Sequence, residues 1–99
     1  MVSAYAAMAD DDLRDYYQAL CDRIGDADNT IQAFVSGTFD RERIASQVER
    51  CLQQFPDPSV RPPLFAVPVG IKDIFHCDGF ATRCGSRLPP HLFQGPEAE

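Results

Sequence analysis

The chain has almost no lysine: of its nine basic residues eight are arginine, and Lys72 stands alone. It also lacks tryptophan, any run of clustered basic residues and any C-x-x-C pair. No apolar stretch approaches the roughly 20 residues that a membrane-spanning helix needs. Each absence removes a class of function. Without clustered Lys or Arg, and with a formal net charge of −6, nucleic acid and anionic membrane surfaces are poor partners, since both are polyanions. The opening apolar stretch, Met1 to Ala9, is too short to span a bilayer and has no Lys or Arg before it to act as a signal-peptide n-region. Residues 1–10 therefore read as a frayed tail, and the protein as cytoplasmic. Without an export signal, Cys21, Cys51, Cys77 and Cys84 read as reduced thiols. A zinc site from His76, Cys77, Cys84 and His91 is disfavoured, because the gap between the two cysteines is wider than the usual two to four residues of structural zinc loops. No metal and no cofactor is expected.

What is present suits one small globular domain over residues 1–99, with a hydrophobic share of 44% and a charged share of 24%. Leu13, Tyr16, Tyr17, Leu20 and Ile24 recur at three- and four-residue steps, which predicts an amphipathic helix over 11–24. Asp10 to Asp12 supply its N-cap and acidic first turn, and Gly25 its stop. Asp26 to Thr30 has the composition of a turn, and Ile31 to Val35 is a short apolar run of open type. Asp40 is placed to cap a second helix whose face, Ile44, Val48, Cys51, Leu52 and Phe55, keeps the same period until Pro56. Both apolar stripes are core faces. The proline-rich stretch from Pro56 to Pro63 predicts an extended surface linker.

Beyond the linker the pattern changes. The apolar run Leu64 to Ile71, continued by Lys72, Asp73, Ile74 and Phe75, predicts a strand. In it Val67, Val69 and Ile71 share one face, and Pro68, Gly70 and Lys72 the other, so that little side chain stands in front of the ammonium group. Asp78-Gly79 predicts a turn into a second short strand or irregular hairpin. Thr82 to Gly95 reads as loop, and Gly95-Pro96-Glu97 as a helix start. The expected class is α/β: two amphipathic helices followed by one or two strands of a mixed sheet.

A lysine ending an apolar strand is costly to remove from water. It can snorkel to the surface, pair with a carboxylate, or sit in a cleft and carry protons. Asp73 points to the opposite face of a regular strand and is a poor partner. A lysine differs from the surrounding arginines in that it can lose its charge and act as a base. His76 and Cys77 cannot form a nucleophile–base pair directly, because neighbours on a strand face opposite sides. Ser86, after Gly85, reads as a turn residue bonded to nearby backbone rather than as a nucleophile.

The stretch Pro63-Leu64-Phe65-Ala66-Val67-Pro68-Val69-Gly70-Ile71-Lys72-Asp73 resembles the lysine strand of amidase signature enzymes, with the pattern P-L-x-G-[I/V]-P-x-x-[V/I]-K-D. Thr82-Arg83-Cys84-Gly85-Ser86 is similar to the T-x-x-G-S element that follows it in that family, and the two helices with Ile31-Gln32-Ala33-Phe34 between them fit the family's opening. The resemblance covers most of residues 11–99. It implies an α/β fold with a central mixed sheet, and hydrolysis or transfer of an amide nitrogen through a Ser–cis-Ser–Lys triad. One serine attacks the carbonyl, a second bridges it to the lysine, and the lysine moves protons; backbone N–H groups of a glycine- and serine-rich loop hold the oxyanion. Only the lysine carries over, onto Lys72. The chain has no G-G-S-S-like segment, so it reads as the N-terminal portion of such a domain, inactive alone. The rest of the domain and a small-molecule amide would be its partners. Asp73 and Thr82 read as scaffold. Ala66 stands where the family usually has Gly, which matters if the turn there needs a positive φ. The alternative is a stand-alone, non-catalytic α/β binding or scaffold protein derived from an amidase.

Overall fold

A computed structural model describes residues 4–98. They form two compact units, residues up to Pro68 and residues from Val69 onward, each described by itself. Of the stretch read as a tail, residues 1–3 lie outside the described residues. Ala4–Ala7 make a 3-10 turn in which Ala6 is buried.

The first unit is a helical hairpin. Helix α1 runs Asp10–Ile31 and helix α2 Arg41–Gln54. The N-cap of α1 is Ala9, with no side-chain cap. Asp10, Asp11 and Asp12 lie in the first turn, where carboxylates suit the positive end of the helix dipole. Gly25 does not end this helix. A mid-helix Gly costs only about 1 kcal/mol relative to Ala, and here the helix ends later, at a left-handed residue. That residue is Gln32, at φ 54° and ψ 46°, whose N–H donates to Asp28 O at 2.8 Å. Asp28 also accepts at Oδ1 from the N–H groups of Ala33 (2.6 Å) and Phe34 (3.2 Å). The polar segment expected as a turn therefore forms the last helical turn and caps it. Helix α2 matches its expectation closely: Asp40 Oδ1 accepts from Glu42 N at 3.0 Å and Arg43 N at 3.2 Å, and the helix ends at Gln54, before Pro56.

The helices meet through the predicted stripes. Ala6, Leu13, Val48, Leu52 and Phe65 form the core, with Tyr5, Met8, Tyr17, Cys51, Phe55 and Ala66 packed around it. At the rim Arg14 grips Glu49 through two bonds, of 2.6 and 3.2 Å, which hold that carboxyl below the usual carboxylate range. Exposed pairs of this kind set register more than stability. No helix among the described residues is long and apolar enough to cross a membrane.

The linker does cross the surface, with residues 56–60 and 63 exposed, but it is not simply extended: Pro58–Val60 make a 3-10 turn, and one side chain turns inward. Arg61 is buried: its guanidinium donates to the carbonyl oxygens of Phe55 (3.0 Å), Ala6 (3.1 Å) and Met8 (3.3 Å) and reaches Asp10 Oδ1 at 3.3 Å. Its Cζ lies 4.5 Å from the centroid of the Phe65 ring. One side chain thus ties the N-terminal turn, the end of α2 and the linker together.

The expected strands are absent, and with them the α/β class: among the described residues there are helices and turns but no strand. Phe65 N bonds to Pro62 O at 3.0 Å and Val67 N to Leu64 O at 3.2 Å, folding the start of the apolar run into consecutive turns. The run then extends without a partner, leaving Val69 78% and Ile71 60% exposed. Alternating apolar residues favour an extended backbone, but a strand exists only through a ladder. Pro62, Pro63 and Pro68 lack the N–H donors a ladder uses. Asp78-Gly79 does make a turn, with Phe80 N on Cys77 O at 3.1 Å, but no second strand follows.

Ala66 adopts φ 55°, so the turn there does need a left-handed residue. The Tyr17 hydroxyl donates to the Ala66 carbonyl and holds it there; partial burial pushes the phenol up to about 12. A left-handed non-glycine residue costs about 1–2 kcal/mol, and glycine recovers this less about 0.4–1 kcal/mol of extra unfolded-state entropy. Ala66→Gly is expected to stabilise the chain by about 0.5–1 kcal/mol. It should appear as a higher urea midpoint with an unchanged slope.

Candidate functional site

Lys72 belongs to the second unit and opens a tight turn. Its carbonyl accepts from Ile74 N at 2.8 Å and Phe75 N at 3.1 Å. The residue is exposed, and no ion pair holds it among the described residues. Of the three outcomes open to such a lysine, this chain by itself shows the solvated one. Val69, Ile71, Ile74 and Phe75 around it in sequence are exposed large apolar residues.

The turn is fastened from the far side of the loop. Asp73 Oδ1 accepts from Arg83 N at 2.9 Å, and the Asp73 carbonyl accepts from Cys84 N at 2.9 Å. Thr82 is buried, and its hydroxyl lies 3.0 Å from His76 Nδ1 and 3.4 Å from the Phe75 carbonyl. Cys84 (φ 53°) and Gly85 (φ 67°) then turn the chain away in two successive left-handed residues. Ser86 N bonds to Arg83 O at 2.8 Å, and Ser86 Oγ accepts from Leu88 N at 3.0 Å, the local role expected of a turn serine. Asp73 and Thr82 likewise act as scaffold. His76 pairs with Thr82 rather than with Cys77.

The closing residues fold back on the same loop. Ala98 N donates to His76 O at 2.8 Å, and Glu97 Oε1 accepts from Asp78 N at 3.1 Å. A Cβ on Gly95 would come within 2.8 Å of His76 Nε2, so any other residue there would have to displace the ring. The predicted helix start is therefore an extended return, with no helix through the last described residues. All four cysteines are free. Among the described residues no group of three or more His, Cys, Asp or Glu is placed to hold a metal ion.

In the first unit, a cleft of about 360 Å³ opens between α1 and α2, lined by residues that include Tyr17, Cys21, Ile44 and Val48. The solitary lysine lies in the second unit, on its fastened turn.

Comparison with known proteins bears on that segment directly. The model of the family described as Amidase matches residues 15–91. A glutamyl-tRNA(Gln) amidotransferase subunit of Geobacter sp. (strain M21) is 36% identical over 77 residues, which cover 72% of this chain and 14% of that protein. No solved structure matches the chain. The chain thus spans about a seventh of the length of the curated relative that it matches. With its lysine turn, α2 and most of α1 lying inside the matched region, the chain belongs to the amidase signature family.

Proposed function

We propose that this chain is the lysine-bearing portion of an amidase that cleaves the C–N bond of a carboxylic amide through a Ser–cis-Ser–Lys triad, with Lys72 as its only contribution to the triad. The observation that carries the reading is the position of the one lysine, on a fastened turn inside the family match. In this scheme a serine supplied by the remainder of the domain forms a C–O bond to the amide carbonyl. Its proton passes through the bridging serine to the Lys72 amine. When the C–N bond breaks, the departing nitrogen takes a proton back along the same path, and water then hydrolyses the ester. No cofactor enters the scheme.

The partners are a small-molecule amide and the rest of the amidase domain; neither nucleic acid nor membrane is bound directly by this portion, in keeping with its charge of −6. Four free thiols suit the reducing cytoplasm. The relative's name leaves two substrate classes open, a small amide or the amide donor of an amidotransferase, and the chemistry assigned to Lys72 is common to both.

The test is to complete the domain by grafting the whole 99-residue chain into the Geobacter relative, in place of its corresponding segment, and to follow release of ammonia or aryl amine from simple amides. Turnover by the graft, its loss in Lys72→Ala, and no turnover by the 99-residue chain alone are the expected results. Turnover by the isolated chain, or an active Lys72→Ala graft, overturns the reading.

A further inference from the structure

We propose that Asp73 is a positioning residue for Lys72, acting through the Thr82-Arg83-Cys84 segment; this rests on the assignment of Lys72 made above. The turn at Lys72 consists of two N–H groups folded onto one carbonyl, and a turn of that size does not hold a fixed direction unaided. Asp73 supplies the missing constraint. Its side chain takes the Arg83 N–H and its own carbonyl takes the Cys84 N–H, both at 2.9 Å, so one residue grips two consecutive amides ten residues away. Thr82, buried beside them, adds ties to Phe75 and His76. The backbone on the C-terminal side of Lys72 is therefore fixed at Asp73, Phe75 and His76, while the lysine side chain itself stays clear of the clamp.

The clamp uses only one carboxylate oxygen. Asp73 Oδ2 is buried and makes no hydrogen bond among the described residues. Asparagine therefore keeps every bond that the clamp needs, presenting its amide oxygen to Arg83 N, whereas alanine removes the side-chain half of it. A displacement of about 1 Å in a catalytic group can lower a rate by about 100-fold. The effect is expected on kcat, because the clamp is assigned to orienting Lys72 and not to holding the amide.

The test has two arms. In the 99-residue chain, amide hydrogen exchange at Arg83 should be slow in the native protein and in Asp73→Asn, and at least tenfold faster in Asp73→Ala. In the completed amidase, Asp73→Ala should lose about 10- to 100-fold in kcat with KM within about twofold, and Asp73→Asn should stay within about threefold of native. Unchanged exchange in Asp73→Ala, native kcat in that variant, or a loss that asparagine does not rescue overturns the proposal. A loss that follows the unfolded fraction, read by circular dichroism on the same sample, also overturns it. Lys72→Ala run alongside separates the two failures: an active Lys72→Ala sinks the lysine assignment, whereas a dead Lys72→Ala beside a fully active Asp73→Ala sinks this inference alone.

Discussion

Arg61→Met is expected to unfold the helical hairpin at room temperature. The substitution keeps an apolar stem against Phe65 but removes every donor that reaches the carbonyls of Ala6, Met8 and Phe55. Bonds from a charged donor are each worth about 1.5–3 kcal/mol, and a buried acceptor left unmade costs a further share, so the loss comes to about 3 kcal/mol or more. At about 0.05–0.15 kcal/mol per residue, a unit that ends at Pro68 holds on the order of 3–10 kcal/mol, and losing all three bonds at about 1.5–3 kcal/mol each is of the same order as that whole margin. Far-UV circular dichroism should show the helical signal collapse in Arg61→Met. Arg61→Lys should fall between the two, since a single ammonium cannot span acceptors on three segments as the guanidinium fork does. A native urea midpoint in Arg61→Met would show that these bonds are decorative.

Lys72→Ala in the completed amidase is expected to lower kcat by about 10²–10⁴, the usual contribution of a positioned proton carrier. The effect should be on turnover with KM little changed, because the lysine is assigned to proton transfer and not to holding the amide. Lys72→Arg should fail almost as badly: its guanidinium stays charged and cannot accept a proton. Stability of the chain should hardly move in either variant, because Lys72 is exposed and lies outside the core. Steady-state kinetics across a range of amide concentrations give both parameters. An arginine variant with native kcat would mean that charge alone is required there.

The legible parts of this molecule are those decided locally. The apolar period of α1 and α2 identifies the faces that bury Leu13, Val48 and Leu52, and Asp40 caps its helix because the cap needs only two following N–H groups. The position where the family carries glycine flags Ala66, and the backbone there is left-handed. What is hidden depends on distant partners. Gly25 resembles a stop, but the helix runs through it and ends at Gln32, where Asp28 supplies the cap. Arg61 sits among prolines and looks solvated; its acceptors lie more than fifty residues upstream, apart from Phe55. A sheet is the least local feature of all, and the run from Leu64 to Phe75 signals extended chain without saying what would pair with it. For the candidate site, Lys72 is marked by being the one lysine, whereas the grip of Asp73 on Arg83 and Cys84 needs the loop to be closed before it can be seen.

The limits of kinship and the limits of the cooperative unit do not coincide. The family match opens at residue 15, yet Arg61 anchors itself on Ala6 and Met8, and Ala6 contributes to the core. An excision guided by homology alone would retain all that is shared with other amidases while discarding two moorings of the hairpin. Residues 4–14, ahead of the family match, are part of what keeps the two helices together.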